Sequence, residues 1–316
     1  MRELSLFIIG MPRSGTKLLR CLLNNHNEIF IPENETLFIP YFLKKYSGKK
    51  LNAQEIDVVI EELQKTLFFF YYLKSKSFNF DNLRADQISI KEFLNLFFNE
   101  LGAQGNKKAK IIGDKSPNYI FHLDQLIQFY PAARFIHIVR DPRDHALSMR
   151  KAWNKNIYRA AYRWKNAMDK VNTVTSHKEA QILEVQYEDL ISSPSETLKQ
   201  VCAFIGVDFY DKMLNLDSSV ENLGDAKAAR IFSNNFQKYL SELSGKEIKK
   251  IEQLTFRYLK SYGYFVSEDI TPVEKVGALQ EALWKLDDII HLVQFNFKTH
   301  GVKRGIEKLL KANRFS

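Results

Sequence analysis

The stretch GMPRSGTKLL at 10–19 lies between an apolar run and a helix-like segment. Gly10 and Gly15 keep the G-x4-G spacing of a loop that wraps an anion with backbone N–H groups at a helix start. Arg13 and Lys17 add charge, and Ser14 and Thr16 add hydroxyl donors. A Walker A loop has Lys directly after the second glycine, then a Ser or Thr for Mg²⁺. Here the Lys comes one residue late, at Lys17, and Leu18 follows it. Arg140 leaves an apolar run at the start of RDPRD (140–144), which suits anion binding. No Walker B segment is evident, since IHIVRD reaches Arg140 before Asp141. Proton abstraction needs a carboxylate or His. His26 and His122 are weak candidates, since most lone histidines near apolar helices are structural. His145, just past Arg140, suits a structural or phosphate-side role.

These residues need elements to hold them. LSLFIIG (4–10) reads as a buried strand that stops at Gly10. Leu18, Leu19, Leu22 and Leu23 then recur with helical spacing. AQEIDVVIEELQKTL and SIKEFLNLFFNEL are amphipathic, so 41 to about 108 reads as an inserted helical layer. AKIIGDKSP (109–117) is a short strand running into a loop, and FHLDQLIQFYP a helix ended by Pro131. ARFIHIVRDPRD (133–144) is a strand leaving at Arg140, with Pro142 marking the turn and a helix beginning in HALSMRKAW. AQILEVQYEDL (180–190) reads as a strand and then a turn, with Tyr187 as core or wall. A helix opened by Ser-Pro-Ser and closed by Gly206 follows. Residues 217–235 read as a polar loop, and KEIKKIEQLTFRYLKSYGY as a further helix. Strands separated by helices imply a parallel sheet. The expected fold is α/β: a P-loop-type parallel sheet flanked by helices, with the helical insertion and a helical C-terminal extension. The expected domains are 1–268 and a basic helical extension over 269–316.

The totals agree with one large α/β unit. The chain has 316 residues, 45% of them hydrophobic, and a formal charge of +9. Cys21 and Cys202 are too few for a disulfide framework, which points to buried thiols in a reduced compartment. LSLFIIG lacks the length and flank of a signal peptide, and TLFFFYYL (66–73) is too short to span a bilayer. The expectation is a soluble, cytoplasmic protein. The basic excess suits an anionic ligand; no aromatic-interleaved strip suggests nucleic acid. KTHGVKRGIEKLLKANRFS carries five Lys/Arg after Gly301. Its default is a solvated face; a weak membrane-surface contact and a homodimer are the other partner readings.

PRSGTKLLRCLL followed by ENETLFIP resembles the 5′-phosphosulfate loop of the sulfotransferases, which transfer sulfonate from 3′-phosphoadenosine 5′-phosphosulfate (PAPS). FIHIVRDPRDHALSM resembles their 3′-phosphate motif, and VQYEDLISSPSETLKQVCAFIGVDF a segment of the bacterial and tyrosylprotein types. The resemblance spans about residues 4 to 265. It implies that Arg13, Ser14, Gly15, Thr16 and Lys17 hold the 5′-phosphate and sulfonate, Arg13 acting catalytically as well. Arg140 and Ser148 then hold the 3′-phosphate. Lys115, in GDKSP, corresponds to a lysine near the sulfonate in the tyrosylprotein enzymes. Glu35 corresponds to their base, with Glu33 a rival because the spacing differs by one residue. A loop covering the nucleotide falls at 226–240, with Arg230 and Ser233 as phosphate contacts. Lys17 departs from the family, where Thr is usual.

PAPS has two separate anionic groups, so two anion sites on neighbouring strand ends are needed. In-line sulfonate transfer depends mostly on positioning and charge, with no metal required if Arg and Lys supply that charge. The leading expectation is therefore a PAPS-dependent sulfotransferase that releases PAP, the desulfated product. Its acceptor is a hydroxyl on a glycan, lipid, peptide tyrosine or small molecule. Aromatics 68–72 fit the acceptor side or, more simply, the core. The alternatives are a P-loop small-molecule kinase, which shares the first loop, and a non-catalytic anion-binding protein.

Overall fold

The computed structural model describes residues 2–74, 76, 78–105, 109–177, 180–216 and 230–312, with backbone alone at 177, 296, 298–300 and 302–312. Strand β1 (Leu4–Gly10) turns through the glycine loop into helix α1 (Thr16–Asn24). The apolar run forces this unit: Leu6, Phe7, Ile8 and Ile9 are all sealed from solvent, and Leu19, Leu22 and Leu23 of α1 pack with Leu6 and Ile8. Strand β2 (Ile29–Phe30) has only two residues, too few for any period to register in the sequence.

The helical insertion holds α2 (Ile39–Tyr46), α3 (Ala53–Gln64), a π-helical turn at Phe69–Leu73 and α4 (Ile90–Gln104). Capping boxes start two of these helices. Asn52 and Glu55 close α3, and Ser89 and Glu92 close α4, each pair satisfying backbone N–H groups that no helical carbonyl reaches. Phe38, Phe42, Phe68 and Phe97 pack as one aromatic cluster, the Phe38–Phe42 ring centroids 5.3 Å apart. Most of this aromatic segment is therefore core, but Phe70 and Tyr71 stay 41% and 47% exposed.

Strand β3 (Ile111–Lys115) leads through a 3-10 turn at Pro117–His122 to α5 (Leu123–Phe129). Strand β4 (Arg134–Val139) precedes α6 (Pro142–Trp153) and α7 (Ile157–His177). The helix after Arg140 starts three residues earlier than the sequence suggested. Pro142 opens it, where no N–H is needed, and the Asp141 side chain caps it by accepting from Arg143 N. Strand β5 (Gln181–Gln186) runs straight into α8 (Tyr187–Ser192), a helix where the sequence suggested strand and turn. Helix α9 (Pro194–Ile205) ends on Gly206 in the left-handed region, φ 76°. Helices α10 (Tyr239–Glu242), α11 (Gly245–Ser261) and α12 (Ala278–Ala312), the last broken by a kink at Gly301 (φ 73°, ψ 165°), complete the described chain.

The strand order is β2-β3-β1-β4-β5, and every pairing is parallel. Alternate β1 side chains enter opposite layers, Phe7 and Ile9 on the insertion side, Leu6 and Ile8 on the α1 and α9 side. The fold is thus α/β with a parallel sheet flanked by helices. Within the expected C-terminal extension, α12 rests on the body. Trp284 is buried against Tyr158 and Tyr162, and Asp288 pairs with Arg159 and accepts from Asn156 N. Among the described residues no helix is long and apolar enough to cross a membrane. Cys202 is buried, Cys21 is half-buried, and both are free thiols. Most of the expected polar loop, 217–229, and the basic side chains after Gly301 lie outside the described residues.

Candidate active site

In a parallel sheet the ligand crevice opens at the carboxyl ends of the strands, where crossovers leave in opposite directions. Here β1 lies between β3 and β4. The chain departs from β1 toward β2 and from β4 toward β5, so the crevice opens between the glycine loop and Arg140. A cleft lies there, open to solvent at its mouth. Arg13, Gly15, Arg140 and Ser148 line it, together with Tyr187 and Arg230.

The loop is tightly folded. Gly10 has φ 153° and Gly15 φ 96°. A Cβ on Gly15 would lie 2.3 Å from Tyr187 Cδ2, so only glycine lets the loop rest on that ring. Arg13 itself has φ 71°, and its Nε donates to Ser148 Oγ at 3.4 Å. This bond joins the two anion motifs directly. Ser14 Oγ is buried and has no hydrogen-bond partner among the described residues.

Arg140 is 6% exposed. Its Nη1 donates to the Arg13 carbonyl at 2.9 Å and its Nη2 to the Asn235 carbonyl at 3.2 Å. The guanidinium lies over the Tyr187 ring, 4.5 Å from its centroid. Its Nε has no partner among the described residues. Arg140 therefore braces the loop while keeping one donor unused. Orphaned donors of this kind, in a loop rich in N–H groups at a helix start, fit an anionic ligand.

Segment 235–239 covers the first cleft, and the sequence alone did not show how. The Asp144 carboxylate accepts from Gln237 N and Tyr239 N, and Asn235 Nδ2 donates to Tyr187 OH at 2.7 Å. Burial pushes the Asp144 carboxyl up from its ordinary range. Arg230 reaches the cleft and stacks on Phe232; Ser233 is exposed and does not line the cleft. Tyr187 is buried wall.

A second cleft opens on the other side of the α1 N-terminus, toward β3. Lys17, Glu33, Glu35 and Lys115 line it, with Phe68 and Tyr71 of the insertion. Lys115 ends β3 and is almost wholly buried, and its Nζ donates to Glu35 Oε1 at 2.8 Å. Glu35 is 38% exposed and faces the opening. The segment carrying it is pinned by hydrogen bonds beyond β3. Thr36 N donates to Ser116 Oγ at 3.1 Å, Thr36 Oγ1 and Tyr119 OH lie 2.7 Å apart, and Ile39 N donates to Tyr119 OH. The neighbouring Asp114 is buried, and desolvation raises its carboxyl to about 6.

Lys17 thus lines the second cleft, whereas Arg13 and Gly15 line the first. Glu33 shares the second cleft and is exposed, so the two carboxylates suggested by sequence stand together, with Glu35 alone on Lys115. None of the three histidines lines either cleft. His26 is stacked on Tyr210, with its Nδ1 accepting from Glu28 N. Burial lowers the pKa of His122. Burial, aided by the charge of Arg140, takes His145 down to about 3, so it is neutral under the loop.

A family model described as the sulfotransferase family matches residues 5–211. Protein-tyrosine sulfotransferase 1 of Danio rerio is 23% identical over 239 residues, 72% of this chain and 59% of that protein. Protein-tyrosine sulfotransferase 2 of Gallus gallus is 24% identical over 234 residues, 72% of this chain and 57% of that protein. The chain therefore spans less than two thirds of the length of these two relatives. In fold it is similar to the sulfotransferase domain of the Synechococcus PCC 7002 olefin synthase, with a TM-score of 0.56, 22% identity, and 84% of this chain and 98% of that chain covered. It is also similar to the sulfotransferase domain from the curacin biosynthetic pathway, with a TM-score of 0.55, 19% identity, and 84% and 99% covered.

Proposed function

The chain belongs to the sulfotransferase family, and on that premise we propose that it moves a sulfonate from PAPS to an acceptor hydroxyl. The observation that carries this reading is the meeting of two clefts at one helix N-terminus. One is lined by arginines and loop donors, the other by a Lys–Glu pair. The first cleft takes the nucleotide. Arg13, Ser14, Gly15 and Thr16 hold the 5′ side, and Ser148 with Arg140 holds the 3′-phosphate. Arg230 and segment 235–239 cover it. The second cleft takes the acceptor.

Glu35 accepts the proton of the acceptor hydroxyl as the oxygen attacks sulfur. The bond from sulfur to the bridging oxygen breaks, and its electron pair stays on the 5′-phosphate, giving PAP. Lys115 releases Glu35 and supplies positive charge to the departing oxygen, where preorganised charge is most effective. Arg13 orients the phosphosulfate, and its bond to Ser148 keeps both anion sites in register. Phe68 and Tyr71 form an apolar, partly open wall that suits an acceptor with an aromatic or apolar body. The relatives named for protein tyrosine make peptide tyrosine the first acceptor to try.

The test is sulfonate transfer from labelled PAPS to a panel of tyrosine peptides, sugars, lipid headgroups and phenols, beside a parallel assay with ATP and Mg²⁺. Label on an acceptor, lost in Glu35→Gln, supports the reading. Phosphoryl transfer from ATP with no binding of PAPS overturns it in favour of a kinase.

A further inference from the structure

Asp144 lies in the first turn of α6 and is 2% exposed. Both of its carboxylate oxygens reach out of the helix to another segment. Oδ2 accepts from Gln237 N, and Oδ1 accepts from Tyr239 N at 3.0 Å. A carboxylate shielded from water that holds two backbone N–H groups makes strong, charge-assisted bonds. One of the two held residues is strained. Gln237 has φ 57°, in the left-handed region that residues with a side chain avoid. Such a conformation persists only where its surroundings impose it, and clamps and switches are where it recurs. Lys238, between the two held amides, lines the first cleft, as does Asn235. The bonds to Asp144 therefore fix the stretch of chain that faces the cleft. Beyond that stretch the chain is anchored, since Tyr239 is buried with the Arg143 guanidinium 4.1 Å from its ring centroid.

We infer that Asp144 is a positioning residue, a latch that keeps segment 235–239 over the nucleotide and sets how fast PAP leaves. This rests on the proposed use of the first cleft for PAPS. Closing the latch forms two hydrogen bonds and turns Gln237 into the left-handed region. Opening breaks the bonds and relieves the turn. The strain offsets part of the bonding, which keeps the latch able to open. Asp144 touches no reacting atom and exchanges no proton in this role, so it acts on retention of the nucleotide.

The experiment compares wild type, Asp144→Asn and Gln237→Asn by surface plasmon resonance with PAP, which gives association and dissociation rates separately. Asp144→Asn keeps the size of the side chain but sets an NH2 group against one of the two N–H donors. Gln237→Asn keeps both donors and supplies a residue that tolerates the left-handed turn. The expected result in Asp144→Asn is PAP dissociation about 10-fold faster, with the association rate little changed. Dissociation should be slower than wild type in Gln237→Asn. Amide exchange over 235–240 in the PAP complex, read by mass spectrometry, should rise in the first variant and fall in the second. A role in folding alone would lower the melting temperature without separating the two rates. Unchanged dissociation in folded Asp144→Asn overturns the inference. Weaker binding that comes entirely from slower association also overturns it, because Asp144 then shapes the open cleft. Equal or faster dissociation in Gln237→Asn overturns it as well, whether or not Asp144→Asn folds. Failure of wild type to bind PAP would strike at the proposed function instead, so the two failures are distinguishable.

Discussion

Lys115 Nζ donates to Glu35 Oε1 across 2.8 Å, joining the end of β3 to the segment that follows β2. The two residues are 80 positions apart in the chain, and their pairing holds the proposed base beside the proposed electrostatic catalyst. Glu35→Gln keeps the shape of this pair and removes the proton acceptor. We expect PAP affinity to be retained and transfer to fall by about 10²–10⁴. Lys115→Met should act on the same step, so the double variant should cost much less than the product of the two losses. Single-turnover transfer from labelled PAPS measures all three.

Gly15→Ala tests the loop. The new Cβ meets the Tyr187 ring at 2.3 Å, and the backbone must hold φ 96° with a side chain present. PAP binding should be lost, and thermal unfolding should show a cost of about 1–3 kcal/mol. Adding Tyr187→Ala removes the collision and leaves the backbone strain. The pair should therefore recover part of the stability, visible as a melting temperature above that of Gly15→Ala alone.

Arg140→Ala should injure binding and structure together. The side chain donates to the carbonyls of Arg13 and Asn235, so its loss loosens both the loop and the covering segment. Calorimetry should show weaker PAP binding, with a lower melting temperature even without ligand. Ser148→Ala removes a cleft hydroxyl and only one bond from Arg13, so it should weaken PAP binding with little effect on the unliganded protein.

The pH dependence of stability should carry the signature of Asp114. Burial raises its carboxyl from 3.8 in the reference state to about 6. Folding therefore favours its protonated form. That contribution is complete below pH 3.8 and is lost as pH rises through 6. Asp114→Asn removes the titration, so the variant should gain on wild type between pH 4 and pH 7. The gain should be about 3 kcal/mol at most. Melting temperatures across that range check it, and a parallel course for the two proteins would contradict the assignment.

Much of the fold was legible, for identifiable reasons. Long apolar runs and strong helical periods fix β1, β4, α3 and α4, and the glycine spacing places the loop. Strand β2 escaped because two residues cannot show a period. Helix α8 escaped because YEDLIS is a single short turn after a strand. In the site, Arg13 and Arg140 were visible as local patterns, and Ser148 through resemblance. Glu35 and Lys115 were visible only through resemblance, since nothing local announces a pair so far apart. Asn235 carries no local signal, because its place at the first cleft depends on how segment 230–239 folds back onto Asp144. The side on which Lys17 falls was equally hidden. Successive residues on a helix turn through roughly 100°, so neighbours within one motif face different clefts.

The most direct test is a calorimetric titration of the protein with PAP, beside ATP with Mg²⁺ under the same conditions. Saturable binding of PAP at one site per chain is expected, with PAP present at about 100 times its Kd stabilising the fold by about 2.7 kcal/mol. Binding of ATP only when Mg²⁺ is present, with no response to PAP, would contradict it.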